Sequence, residues 1–277
     1  MRNFFEKKWG KIWLCLCIIS GCLGHTFFAE QAEKAMFPMM DAKIVLDAGH
    51  GGWDPGKTGT NGKNEKELNL AVTEKLADYL EMGGAEVILT RTSDDALGSG
   101  KKADMAERKR IANESDGDIL VSIHQNAFPS AKAKGAQVFY HKKSENGELL
   151  AECVQENLRN RVDGSNNRQA KENTSYYILK TTEIPAVIVE CAFIDNKTDV
   201  QIVDTAAEQK AMGVAIAKGI LKTLGIAYKP ESTQGVQSST GKLYRVQIGA
   251  YAVRANAEAM LAKVKNAGFA DAFIKAE

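Results

Sequence analysis

Strand-like and helix-like segments alternate along most of the chain, and that alternation limits the possible folds more than any other feature. Short apolar runs occur at Lys43–Ala48, Glu86–Thr92, Ile119–Asn126, Gln137–His141 and Ala186–Phe193. Between them lie stretches with helical spacing. In Glu65–Met82 the residues Leu68, Val72, Leu76, Tyr79 and Leu80 recur at three- and four-residue steps. Met105–Glu114, Gly147–Val162 and Ala206–Leu224 read as helices in the same way, and Tyr176–Leu179 reads as a further strand. Such alternation predicts an α/β domain whose sheet is mainly parallel and flanked by helices. The near-continuous apolar run Ala186-Val187-Ile188-Val189 suits a strand covered on both faces. Sheets of this kind gather function where the strands end in loops at their carboxyl edge.

The 277 residues divide into four parts. Residues 1–30 read as a signal peptide or a membrane or lipid anchor. Lys7, Lys8 and Lys11 precede the apolar run Ile12–Cys22, a cationic flank followed by a short hydrophobic segment. That run falls short of the roughly 20 apolar residues a membrane-spanning helix needs. Ile19-Ser20-Gly21-Cys22 also resembles a lipoprotein cleavage site. Residues 42–226 hold the alternating domain. Residues 227–241 (YKPESTQGVQSSTG over 228–241) have linker composition. Residues 242–277 read as a short βαβ fragment: a strand over Leu243–Tyr251, an amphipathic helix over Ala255–Ala267 and a strand over Asp271–Lys275. Three of the five cysteines lie in the leader, which leaves Cys153 and Cys191 as small buried apolar residues rather than a disulfide framework. The net charge is +1, and the leader carries the excess of cations, so the body is mildly acidic. That balance argues against a nucleic-acid partner.

Of the four histidines, His25 lies in the leader and His141 ends a strand beside Lys142 and Lys143. His50 and His124 both fall at carboxyl ends of expected strands. An acidic companion comes from Asn64-Glu65-Lys66-Glu67, where a loop meets a helix. Either carboxylate could simply favour the helix N-terminus through the macrodipole. Glu65 is preferred as a ligand because it shares a face with Asn69 at the open end of the core-facing stripe. Two imidazoles and one carboxylate make a catalytic zinc set, with the fourth position left for water. Such a site needs a separate proton carrier. Glu190, at the end of an apolar strand, is the candidate, and the alternative is a carboxylate paired with a surface cation.

These residues sit in four segments that resemble the zinc-dependent N-acetylmuramoyl-L-alanine amidases, the amidase type 3 family, over residues 43–226. Leu46-Asp47-Ala48-Gly49-His50-Gly51-Gly52 is similar to the first histidine motif of that family, and Glu65-Lys66-Glu67-Leu68-Asn69-Leu70 to its glutamate motif. Ser122-Ile123-His124-Gln125-Asn126-Ala127 is similar to the second histidine motif, and Ile184–Glu190 to the catalytic-glutamate motif. Thr90-Arg91, Arg108 and Ala112-Asn113 also fall where the family has such residues. The chain departs from the pattern at Ala48, where proline is usual, and at Cys191-Ala192-Phe193 after the glutamate.

The resemblance implies Zn2+ on His50, Glu65 and His124, with Glu190 as general acid/base. It implies cleavage between N-acetylmuramic acid and L-alanine, with Asn126 and Arg91 as substrate contacts. It also implies an exported, wall- or membrane-attached enzyme whose substrate is peptidoglycan, with attachment through the N-terminus and any activating protein unnamed. The compact form, with no inserted regulatory helix, resembles the spore-cortex and germination subgroup. Tyr244–Tyr251 (YRVQIGAY) resembles the start of a SPOR domain, of which residues 242–277 supply about the first half. Two competing readings are a wall-binding protein without catalysis and another zinc peptidoglycan hydrolase, an endopeptidase or deacetylase.

Overall fold

The computed structural model describes Met39, residues 41–130 and 132–226, and a few isolated positions from Arg254 to Ile274. The leader, the linker and almost all of the SPOR-like tail lie outside the described residues. The chain divides into two compact units, Met1–Lys229 and Pro230–Glu277, and the first carries the fold described next.

Six strands form one sheet: β1 (Lys43–Ala48), β2 (Glu86–Leu89), β3 (Ile119–Asn126), β4 (Gln137–His141), β5 (Lys171–Asn173) and β6 (Ala186–Phe193). Their order across the sheet is β2-β1-β3-β6-β4-β5. β2, β1, β3 and β6 run parallel, β4 runs antiparallel to β6, and β5 runs parallel to β4. Five helices surround it: α1 (Glu65–Met82), α2 (Lys101–Glu114), α3 (Glu145–Arg161), the short α4 (Tyr177–Thr181) and α5 (Ala206–Thr223). The sheet is therefore mixed but mostly parallel, in an α/β domain.

Period-two alternation divides the apolar strand residues between two cores. Leu46, Val121, Ile123, Val187 and Val189 pack on one face with Leu68, Leu76 and Leu80 of α1, Leu150 and Leu158 of α3, and Met212, Ile216 and Ile220 of α5. Val45, Leu120, Phe139 and Ile188 pack on the other with Ala112 of α2 and Ile178 and Leu179 of α4. Burying one such aliphatic side chain contributes about 1.5–3 kcal/mol, so the larger face supplies most of the cohesion. Cys153 and Cys191 are buried free thiols in this interior.

Two sequence expectations change. Tyr176–Leu179 is not a strand: the chain enters helix α4 at Tyr177, with Lys180 N donating to Tyr176 O and Thr182 N to Ile178 O. Four apolar residues are too few to separate a period of 2 from one of 3.6. The edge strand is instead β5, whose Lys-Glu-Asn sequence carries no apolar signal because it is largely exposed.

Candidate metal centre and active site

β1 ends at Ala48 and the chain turns sharply through Gly49-His50-Gly51-Gly52. His50 takes the left-handed φ of 62°, rare for a residue with a side chain, and Gly51 and Gly52 also have positive φ. Two buried arginines fix that turn. Arg108 of α2 donates from Nη2 to His50 O (2.6 Å) and from Nη1 to Ala48 O (2.8 Å). Arg91 donates from Nε to Ala48 O (2.8 Å) and from Nη2 to Gly49 O (3.1 Å). Gly49 is held by close approach: a Cβ there would lie 2.3 Å from the His124 imidazole.

Behind the turn, Asp47 accepts hydrogen bonds from Thr90 Oγ1 (2.7 Å), Arg108 Nη1 (2.6 Å) and Ser122 Oγ (2.6 Å). Burial alone would raise the Asp47 carboxyl, but the Arg108 charge and the two hydroxyl donors outweigh it and lower its pKa to about 2. Asp104 of α2 completes the ring by accepting from Arg108 Nε at 2.7 Å.

Glu65 is the first residue of α1, and Glu67 in the same turn folds back on the cap: Asn64 N donates to Glu67 Oε2 at 3.1 Å. This leaves Glu65 to face the sheet edge. It is 4% exposed. Its Oε1 lies 3.1 Å from His50 Nε2 and 3.0 Å from His124 Nδ1, and also accepts from Gln125 N at 3.2 Å. Its Oε2 accepts from Lys57 N at 3.1 Å. The two imidazoles stand edge to face with centroids 5.1 Å apart. Burial would push the Glu65 carboxyl up, yet the facing imidazoles hold it well below the usual carboxylate range; the same contact outweighs burial at His124 and raises its pKa.

The donor atoms of His50, Glu65 and His124 lie within 4.8 Å of one another, the one cluster of this kind among the described residues. Two imidazole nitrogens and a carboxylate oxygen converging from three separate segments suit a divalent metal ion. Glu190 stands on β6 directly beside His124 in the β3–β6 register. Its Oε2 is buried with no hydrogen-bond partner, and burial raises its pKa to about 7. An acidic oxygen left unpaired beside a metal-binding cluster is costly unless something reacting there uses it.

The other expected site residues separate. Asn126 ends β3, partly exposed, opposite Phe193 of β6. Arg91, expected as a substrate contact, is instead buried against backbone. It is 4% exposed, and its donors go to the carbonyls of Ala48, Gly49, Lys66 and Ser93. That makes it a brace for the ligand-bearing loops.

Two residues were missed by sequence reasoning. Asp54 Oδ2 lies 2.9 Å from His50 Nδ1 and 2.9 Å from Lys101 Nζ. Burial opposes ionisation there, but the Lys101 and His50 contacts lower its pKa to about 2. Its spacing of four from His50 inside a glycine-rich loop was the available signal. Tyr176, hidden inside the misread strand, packs edge to face on Phe139 with centroids 5.4 Å apart. Partial burial and then the Glu190 charge raise its phenol pKa.

The family model for N-acetylmuramoyl-L-alanine amidase (Amidase_3) matches residues 44–222, and that for the SPOR domain matches residues 215–276. The germination-specific N-acetylmuramoyl-L-alanine amidase of Bacillus subtilis (strain 168) is 33% identical over 227 residues, 78% of this chain and 94% of that protein. The N-acetylmuramoyl-L-alanine amidase AmiA of Escherichia coli (strain K12) is 28% identical over 64% of this chain and 74% of its own. Among solved structures, the CwlD amidase of Clostridioides difficile, in complex with the GerS lipoprotein, superposes with a TM-score of 0.64 at 38% identity. That likeness covers 67% of this chain and all of CwlD. The chain belongs to the N-acetylmuramoyl-L-alanine amidase family and is an enzyme of peptidoglycan or spore-cortex remodelling.

Proposed function

We propose that His50, Glu65 and His124 hold a zinc ion and that Glu190 carries the proton in hydrolysis of the muramoyl–L-alanine amide. The observation that supports this most directly is the convergence of His50 Nε2 and His124 Nδ1 on Glu65 Oε1, with the unpaired Glu190 Oε2 buried nearby. Zinc held by these three residues would supply Lewis acidity, lowering the pKa of a water to about 7 and polarising the scissile carbonyl. Glu190 takes a proton from the attacking water as the new C–O bond forms at the lactyl carbonyl. It returns that proton to the nitrogen of L-alanine as the C–N bond breaks; the second proton of the water passes to the released amine or to solvent, which leaves a lactyl carboxylate and a stem with a free N-terminus. Asn126, at the end of β3, is proposed to contact the substrate.

The same reading covers setting and partners. Likeness to the germination-specific amidase favours the spore cortex as the peptidoglycan acted on. Because CwlD was solved in complex with the GerS lipoprotein, a lipoprotein of that kind is proposed as a binding partner. An extracytoplasmic location agrees with a wall substrate and the SPOR match, and attachment through the N-terminus is proposed from its sequence. Among the described residues, no helix is long and apolar enough to cross a membrane.

Incubation of the purified chain with peptidoglycan and zinc, read by mass spectrometry, is expected to release stems with N-terminal L-alanine. Cleavage within the stem, loss of acetyl groups, or wall binding without product would each point to one of the competing readings. Glu190→Gln is expected to lower kcat by about 10²–10⁴-fold, the usual worth of a positioned proton carrier, with zinc content unchanged. A Glu190→Gln enzyme turning over at the native rate would remove that role.

A further inference from the structure

A second feature lies beside the reaction centre, on the side away from β1. Gln137 opens β4 and pairs directly with Glu190 across the antiparallel ladder, where facing Cα atoms sit about 5 Å apart. Gln137 Nε2 donates to Gln169 O at 2.5 Å, which ties the segment before β5 to the strand position opposite Glu190. That segment is itself anchored. Asn166 is buried, its Nδ2 donates to Ala136 O at 2.9 Å, and its Oδ1 accepts from Arg168 N at 3.1 Å.

Between this segment and the loop before β4 lies an open depression of about 350 Å³, lined by Lys134, Asp163, Ser165, Asn166, Asn167 and Arg168. It holds two cations against one carboxylate. The carboxylate is already engaged, since Asp163 Oδ1 accepts from Ser165 N (2.9 Å) and Ser165 Oγ (2.6 Å). Lys134 Nζ reaches Ser165 Oγ at 3.1 Å. Arg168 is held before any ligand arrives: its guanidinium carbon lies 4.9 Å from the centroid of the Phe193 ring, and its Nε donates to Lys134 O at 3.1 Å. Among the described residues its Nη atoms take no protein partner. An arginine fixed on an aromatic face with a free donor pair suits a carboxylate.

Position and chemistry select which carboxylate. Phe193 lies three residues beyond Glu190 on β6, but a bulge sets that step against the two from His124 to Asn126 on β3, so Phe193 stands about 7 Å further along the sheet. An extended peptide advances about 3.3–3.6 Å per residue, so a stem laid along β6 from Glu190 brings its second residue to the depression. The N-acetylated glycan offers no anion there, whereas a peptide can present free carboxylates. We propose that Lys134 and Arg168 form a subsite for a free carboxylate on the second residue of the stem. The proposal rests on the amidase reading above and adds to it a means of distinguishing substrates.

The test compares two sets of glycan oligomers, alike except that the α-carboxylate of the second stem residue is free in one and amidated in the other. Wild-type enzyme is expected to favour the free acid by about tenfold in kcat/KM, the scale of one charge-assisted hydrogen bond. Arg168→Gln is expected to bring that preference within about twofold, by raising KM on the acid far more than on the amidated set. Lys134→Gln, at an exposed position away from the Phe193 ring, is expected to reduce the preference part of the way with no change in thermal stability. Wild-type enzyme active on both sets without preference, or variants that keep it, would overturn the subsite. No stem release from either set would instead overturn the amidase reading.

Discussion

At the residue scale, the centre depends on keeping His50 in a conformation that side chains disfavour. A left-handed residue typically costs of order 1 kcal/mol or more, so it persists only where neighbours dictate it. Here Arg108 grips the carbonyl of His50 itself, and Asp54 lies 2.9 Å from its Nδ1. A carboxylate beside the non-ligating nitrogen of a metal-binding histidine fixes the ring and its tautomer. Asp54 is ionised at neutral pH, because Lys101 and His50 offset its partial burial. Asp54→Asn keeps the shape and removes the charge. Zinc affinity, titrated against a chromophoric chelator, is expected to fall by about 10–100-fold with the fold intact. An unchanged affinity would reduce Asp54 to a surface partner of Lys101.

At the scale of elements, the site is assembled from ends: the close of β1, the first turn of α1, and the carboxyl ends of β3 and β6. β1 and β3 are neighbours, and Gly49 is the point of closest approach between the turn after β1 and the His124 ring on β3. The backbone of Gly49 is not left-handed, so alanine is tolerable there for the chain and intolerable for the imidazole 2.3 Å away. Gly49→Ala is therefore expected to preserve the circular dichroism spectrum while kcat/KM falls by about 10²-fold or more, the effect of displacing a reacting group by an ångström. Loss of helical signal in parallel with activity would show that the glycine serves the fold instead. Much of this arrangement was legible in the sequence. Strands such as Ala186–Phe193 are apolar because both faces are covered, and His50, His124 and Glu190 interrupt or follow such runs where apolar packing gives no reason for them. The limits were also physical. Lys171–Asn173 has no pattern because an exposed edge strand buries little, and Tyr177–Thr181 is too short to show a period. Sheet order was hidden because β4 turns antiparallel to β6 through contacts far apart in sequence. Arg91 looked available because arginine near a motif suggests an anion, and only the fold reveals four backbone carbonyls using its donors.

At the scale of the whole domain, the polar ring behind the site ties stability to pH. Asp47 joins β1 to β3 through Ser122, to Thr90 just beyond β2, and to α2 through Arg108, all in the interior. Its carboxyl falls from an ordinary 3.8 to about 2 in the folded chain, because the Arg108 charge and the hydroxyl donors outweigh burial. The folded state therefore binds a proton at Asp47 less readily than the unfolded state does. The stabilisation is fully present above pH 3.8 and disappears as pH falls through 2, a change of about 2 kcal/mol for a shift of this size. Asp47→Asn removes the titration and leaves Arg108 buried without that charge, a loss that reaches about 3–5 kcal/mol when a buried pair is broken. Urea unfolding of both proteins from pH 6 down to pH 2 isolates Asp47, because every other acid group is common to the two. The stability gap between them is expected to be widest above pH 4 and to narrow by about 2 kcal/mol toward pH 2. A gap that stays constant across that range would mean the Asp47 carboxylate is not what ties the strands to Arg108.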